Sequence, residues 1–412
     1  MDFSFYRRNA WWLGTGLLLM FSSTFGQTYF ISLFAGGIRE TFDLTNGEWG
    51  GIYTIATIGS AALLIHIGRF ADTMSLARLS VIILLFYAAA ALLMMTAVHV
   101  VMLVVAIFGL RFCGQGMMTH LSMTAMARWF NANRGRAVAI AVLGLPLAEA
   151  TLPSITVWAK DVLGWRAVWG IVVLVLLLLI LPAVFMMLRH GRTPQNEGGG
   201  DNAVGMDGRH WSRRDVLHHW SFYALMPGIL APPFIGTCAL FHQVHVADVR
   251  GYDLVTMTLA FPLYAAVSVT TSLLAGHIID RFGPTRLLPF FLLPITIAIA
   301  FLAIPGGVWV WFVVMAGVGL SHGFAVTMTG SLWATLYGTR WIGGVKALFT
   351  AATVFATAAG PGITGVIIDE GINFPQQALY LSAYCLVVTG ILAVLAPRLN
   401  AALARPAALA PA

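Results

Sequence analysis

Gly68-Arg-Phe-Ala-Asp72-Thr-Met-Ser-Leu-Ala-Arg78 returns 208 residues later as Gly276-His-Ile-Ile-Asp280-Arg-Phe-Gly-Pro-Thr-Arg286. Gly, Asp and Arg match at a constant offset, and each stretch closes a long apolar run. A second match lies further along at an offset of 207, pairing Gly116 with Gly323, Gln115 with His322 and Phe130 with Tyr337. Two halves with the same order of apolar runs and polar turns are the sequence mark of a secondary transporter built from repeats.

Outward from these stretches the chain resolves into twelve apolar runs. They lie near 11–34, 48–67, 79–98, 100–126, 135–158, 166–188, 221–246, 254–276, 287–304, 308–335, 343–367 and 377–396. Most are long enough to cross a hydrocarbon core of about 30 Å at about 1.5 Å per helical residue. The composition agrees: of 412 residues, 59% are hydrophobic and 9% charged, against about 25% charged in soluble domains. Unbroken runs of this length exclude a β-barrel, whose strands alternate over about ten residues. The fold class expected is all-α integral membrane, twelve transmembrane helices in two pseudo-symmetric six-helix bundles. The bundles are 1–188 and 221–412, the second ending in a short cytoplasmic tail. Between them, residues 189–220 are polar and Gly-rich and read as a flexible cytoplasmic linker.

With the N-terminus inside, 18 of the 23 Lys and Arg residues fall on inner loops and tails, four fall outside, and Arg111 falls within a run. That bias places both termini in the cytoplasm; the membrane expected is the cell's inner (plasma) membrane. The net charge of +7 is therefore a topology signal scattered over short loops, and no nucleic-acid partner is expected. Arg7 and Arg8 precede an apolar run without a small-residue cleavage site, as expected of an uncleaved first span. Cys113, Cys238 and Cys385 lie within runs and read as small apolar packers. Trp11, Trp12, Trp165, Trp169, Trp309 and Trp311 stand near run ends as interfacial anchors.

The paired stretches resemble the inner-loop signature G-x-x-x-D-R-x-G-R-R of the major facilitator superfamily, the second copy more fully, with Asp280, Arg281, Gly283 and Arg286. The resemblance extends over essentially the whole chain. Arg111-Phe-Cys-Gly-Gln-Gly116 is similar to the family's fourth-span segment with the glycines shifted. Arg128-Trp-Phe-Asn-Ala-Asn-Arg134-Gly-Arg136 resembles, weakly, the approach to the fifth span in monocarboxylate and oxalate/formate-type porters. The family implies alternating access, with Gly68, Asp72, Arg78, Gly276, Asp280, Arg281, Gly283 and Arg286 as gating residues. The chain departs from the porter branch in having no charge in 254–275. It departs from the drug antiporters in reading Gly144-Leu-Pro146-Leu-Ala-Glu149 where they carry G-P-x-x-G-G.

Charges in mid-membrane cost about 2.5–3.5 kcal/mol on insertion scales and usually carry function. Arg111 and Glu149 are placed near the midplane of consecutive helices. Arg111 suits an anionic substrate group, because its guanidinium forks onto carboxylate or phosphate. Glu149 suits a counter-charge or a proton-carrying site. The competing reading of the two is a permanent structural ion pair. His322 and His120 are further candidates for proton coupling, against a neutral imidazole bonded to a carbonyl. His120, nine residues beyond Arg111, is expected on the opposite face of a regular helix. Gln27, Tyr29, Phe30, Tyr53 and Gln115 are candidate cavity residues, each equally able to serve as an interhelical bond or packer. Gly319-Leu-Ser-His-Gly323 matches a nucleophile pattern without the strand-to-helix elbow it needs, and small residues at that spacing favour close helix contact. His242 and His245 lack a third metal ligand and read as an interfacial pair.

The function expected is secondary transport of a small organic anion, coupled to protons, by a monomer in the lipid bilayer with no cofactor, no metal and no enzymic activity. A proton-driven drug or metabolite efflux pump is the alternative of the same kind. A non-transporting membrane sensor is the alternative of a different kind.

Overall fold

The computed structural model describes residues 4–68, 70–130, 133–188 and 204–404, without the side chains of Ser4, Asp72, Thr73 and Arg134. Among them every regular element is helical. This follows from the solvent: in lipid each backbone N–H and C=O must be bonded within its own segment. Eleven helices are long and apolar enough to cross a membrane, and a bent pair, Ala10–Ser32 with Ala35–Phe42, makes a twelfth. Large apolar side chains such as Ile65, Leu178 and Val387 stay exposed, as a lipid-facing surface requires.

The helices group into two compact units. One holds the first six spans together with Leu240–His245 and Pro361–Glu370. Inside it the second span, Asn46–Ile67, opens with a capping box between Thr45 and Glu48. Asp369 adds to that cap, accepting from the Asn46 N–H (3.0 Å) and the Gly47 N–H (2.7 Å). The other unit holds most of the later spans. There the tenth span, Trp309–Tyr337, lies against Phe261–Phe282 in the eighth. A Cβ on Gly319 would meet the Tyr264 carbonyl at 2.6 Å, and one on Gly323 would meet the Ser272 nitrogen at 2.9 Å. These glycines serve close helix contact, as their spacing predicts.

The first span departs from the expected straight run 11–34. Helix Ala10–Ser22 tightens into a 3-10 turn at Ser23–Gly26, goes extended at Gln27 (φ −80°, ψ 151°) and restarts at Thr28–Ser32. The cause is local: the hydroxyls of Ser22 and Ser23 donate back to the carbonyls of Leu19 (2.9 Å) and Met20 (2.7 Å), where they compete with the helical ladder. The fourth span, Val100–Trp129, carries π-helical turns over Arg111–Met118.

The expected flexible linker also differs over its described part. Residues 189–203 lie outside the described residues. From Val204 onward the chain is packed: Met206, Trp211 and Val216 are buried. Trp211 Nε1 donates to the Met206 carbonyl (3.1 Å), and the Trp211 N–H donates to the Tyr337 carbonyl (3.0 Å). Burial of the large aromatic side chain, with the other buried apolar residues and the backbone bond, opposes the conformational freedom that the stretch loses.

Candidate functional site

A broken span leaves backbone groups that lipid cannot satisfy, and the side chains that satisfy them define the site. The Tyr87 hydroxyl, from the third span, donates to the carbonyls of Ser22 (3.2 Å) and Ser23 (3.3 Å). Arg111 Nη1 donates to the Gly26 carbonyl (3.1 Å) and to Thr28 Oγ1 (3.3 Å). Thr28 Oγ1 also shares a 2.5 Å bond with the Tyr53 hydroxyl, and the Arg111 guanidinium lies 5.1 Å from the centre of the Tyr53 ring. Tyr29 reaches back to Thr24 Oγ1 (2.9 Å), and Gln27 Nε2 to Ser23 Oγ (3.3 Å).

Contact between the two helices depends on a glycine pair. A Cβ on Gly114 would lie 2.7 Å from Gly26 Cα, and one on Gly26 would lie 2.8 Å from Gly114 Cα. The π turns that carry Arg111 therefore sit directly on the broken turn. Irregular turns of this kind recur at functional sites.

Arg111 is 3% exposed, and its Nε has no hydrogen-bond partner; the buried Oε1 of Gln115, four residues on, has none either. Among the described residues no carboxylate lies within 4 Å of Arg111, since the single ion pair is Lys160–Asp161 at the end of the fifth span. Arg111 and Glu149 are therefore not the ion pair the sequence left open, because the guanidinium turns to the broken turn instead. Glu149 is 7% exposed and stands on the fifth-span helix Gly144–Leu163, which packs against the 3-10 turn Ser23–Gly26. The helices that carry the two charged residues thus both meet the break, and Arg111 bonds it at Gly26 and Thr28.

Other candidates fall elsewhere. Phe30 packs edge-on against Phe25, Phe34 and Trp169 within the first unit. Its surroundings are aromatic, those of a packer. His120 Nε2 bonds the Gly68 carbonyl (3.1 Å), and Arg128 donates to the Ala71 carbonyl (2.7 Å), so both hold the inner loop after the second span. The π turns between Arg111 and His120 change the angular phase on which the opposite-face expectation rested. His322, in the second unit, shares a 2.8 Å bond between Nδ1 and the Tyr264 hydroxyl. His242 Nε2 bonds Thr364 Oγ1 (2.8 Å), and no group of three metal-ligating side chains occurs among the described residues. Arg78, Asp280, Arg281 and Arg286 are exposed, and Gly283 ends the eighth span at φ +80°. The Asp72 side chain lies outside the described residues. Thr24, Thr28 and Tyr87 were missed from sequence, since a hydroxyl inside an apolar run carries no sign of its partner.

The fold is shared with known transporters. A bacterial homologue of the human lysosomal transporter Spinster, solved inward-facing and unoccupied, aligns with a TM-score of 0.69 at 16% identity, covering 98% of this chain and 99% of that one. Its occupied inward-facing form gives 0.66 at 18% identity, covering 99% of each chain. A mutant of the nucleoside transporter NupG gives 0.63 at 12% identity, covering 95% and 99%. No curated protein matches the chain in sequence. The family model described as Major Facilitator Superfamily matches residues 16–361. The chain thus belongs to the major facilitator superfamily, as a multi-pass secondary transporter rather than an enzyme.

Proposed function

We propose that the protein carries a small organic anion across the membrane together with protons, and that Arg111 receives the anionic group. One observation carries this reading: a buried guanidinium with a free Nε and, among the described residues, no carboxylate within 4 Å. An uncompensated charge at mid-span is costly. A substrate carboxylate or phosphate compensates it and uses the free edge of the fork. Gln115, Gln27, Tyr53 and Tyr29 belong with Arg111 in this reading. The polar groups of Gln27, Tyr53 and Tyr29 bond residues of the broken turn, and a broken helix is where transporters of this kind hold substrate; Gln115 follows Arg111 by four residues with its Oε1 unbonded. Phe30 supports the same turn from behind, packed against Phe25, Phe34 and Trp169.

Glu149 takes the role of proton carrier, with His322 and His120 as the next candidates. Binding of the anion near Arg111 raises the local negative charge, which favours a proton on Glu149. Anion and proton then load together, as symport requires. The halves 1–188 and 221–412 are the rocking bodies in this scheme, joined by 189–220. The inner-loop residues Gly68, Asp72, Arg78, Gly276, Asp280, Arg281, Gly283 and Arg286 govern the gate. The distribution of Lys and Arg supports both termini in the cytoplasm, and a monomer in the inner membrane completes the reading.

A thermal-shift screen of the purified protein against carboxylates, sugars and cationic drugs tests the reading, because a ligand stabilises the fold it binds. Short carboxylates are expected to raise the melting temperature of the native protein and not of Arg111→Gln. Stabilisation by cationic drugs alone would overturn the anion reading in favour of efflux.

A further inference from the structure

The second unit carries an open cavity of about 520 Å³ walled by Ser212, Arg213, Arg214, Arg340, Trp341, Gly343 and Gly344. Two stretches far apart in sequence build it. The first is the short helix Arg213–Leu217, held by a capping box in which Ser212 and Asp215 bond each other. The second runs from Arg340 into the first turn of the eleventh span, Ile342–Asp369. Its volume falls within the range of about 300–1,000 Å³ typical of small-molecule sites.

Three guanidinium groups share this wall, and none is ion-paired among the described residues. The nearest acid in sequence is already engaged. The Asp215 carboxylate accepts from the Ser212 N–H (2.8 Å) and Oγ (2.6 Å), and these bonds hold its carboxyl below the usual range. Arg340 lies 5.4 Å from the centre of the Trp341 ring. Trp341 is 52% exposed and directly precedes a membrane span. An amphipathic ring in that position marks the headgroup level of the bilayer. Open space lies over the two glycines: a Cβ on Gly343 would meet nothing within 4 Å, and one on Gly344 would meet only the Arg213 Cβ at 3.9 Å.

We propose that this cavity binds a phosphate ester, either the headgroup of an anionic phospholipid or a phosphorylated small molecule. Planar guanidinium groups fork onto phosphate oxygens, and basic pockets at the membrane surface select anionic headgroups. The site is separate from the transport site at Arg111, which lies in the other unit.

Native mass spectrometry of the full-length protein with phosphatidylglycerol or phosphatidylcholine reads the lipid arm. Melting shifts with inorganic phosphate and phenyl phosphate read the soluble arm. The variants are Gly343→Glu, which brings a negative charge into open space, Arg340→Gln, and Gly343→Ala as control. Retention of phosphatidylglycerol at least tenfold above phosphatidylcholine, lost in Gly343→Glu and Arg340→Gln but kept in Gly343→Ala, assigns the site to lipid. A melting shift with phenyl phosphate that vanishes in the same two variants and survives in Arg111→Gln assigns it to a soluble ester. Should Gly343→Glu not fold, the exposed Arg340→Gln decides alone. If neither ligand class distinguishes native protein from the variants, the cavity is not a phosphate site.

Discussion

Arg111 and Gly26 are 85 residues apart in sequence and joined by a 3.1 Å hydrogen bond that closes the gap in the first span. The bond gives Arg111 two duties. One edge of the guanidinium maintains a backbone carbonyl, and its Nε remains free. Structure and recognition are therefore separable by substitution. Arg111→Lys keeps a charge and a donor for Gly26, yet loses the bidentate fork. It should reach the membrane, melt near the native temperature, and lose anion uptake by at least tenfold. Arg111→Ala should lose uptake as well and, by orphaning the carbonyl, cost about 1–3 kcal/mol of stability. Uptake and melting temperature measured on both variants test this. Native uptake by Arg111→Lys would remove the fork from the mechanism.

The glycine pair beneath Arg111 gives a prediction that needs no substrate. Gly114→Ala places a methyl 2.7 Å from Gly26 Cα, and backbone cannot yield as a flexible side chain does. Overpacking of this kind costs about 1–3 kcal/mol. Gly116→Ala meets the Leu64 side chain at 3.4 Å and the Arg111 carbonyl at 3.6 Å, both ordinary van der Waals contacts, and should be tolerated. Thermal unfolding in detergent should separate the two variants clearly. Equal melting temperatures would mean that the two helices are not held at this contact.

These two positions also show where sequence stops being informative. Gly114 and Gly116 look alike in Arg111-Phe-Cys-Gly-Gln-Gly116, and the repeat singled out Gly116; the broken turn brings Gly114 into contact. The spans themselves were legible because bilayer thickness fixes their length and lipid fixes their composition. Arg111 and Glu149 were legible because a charge in an apolar run is rare. The break at Ser23–Gln27 was not, since serine, threonine and glycine are ordinary within a membrane helix and its partners Tyr87, Arg111 and Tyr53 come from other spans. Order in 204–219 had one available signal, Trp211, set among polar residues.

Packing around Trp211 should weaken in acid. His219 lies 4.6 Å from Trp211 between ring centres, and its Nδ1 accepts from the Ser221 N–H (3.3 Å). Burial lowers its pKa below the usual histidine value. A proton then binds the unfolded segment more readily than the folded one. The contribution to stability is full above about pH 6.5 and declines as the pH falls below it. Asp215 acts in the same direction lower down, because its bonds to Ser212 hold its pKa below the usual range. Its contribution is lost as the pH falls through that lowered value. Hydrogen exchange of residues 204–221, corrected for intrinsic rate, should be faster at pH 5 than at pH 7.5. His219→Gln should flatten the part of this dependence near pH 6. Identical protection at both pH values would contradict the argument.

Glu149 offers the sharpest test of coupling. It is buried on the helix that packs against the broken turn, and among the described residues no cation lies within 4 Å of it. No permanent salt bridge therefore has to break before it takes a proton. Glu149→Gln keeps the shape and fixes the neutral form. In the proposed mechanism that form binds anion and completes the exchange half-cycle, while net accumulation needs the proton to leave. Counterflow in vesicles should thus stay within about twofold of native. Accumulation driven by an inward proton gradient should fall at least tenfold, since a proton that is never released transmits no driving force. Glu149→Asp should restore part of the gradient response, because it returns a titratable carboxyl on a shorter stem. Gradient-driven accumulation by Glu149→Gln at the native level would move the coupling role to His322. Its exposed ring and bond to the Tyr264 hydroxyl would then be probed by the same pair of assays on His322→Gln.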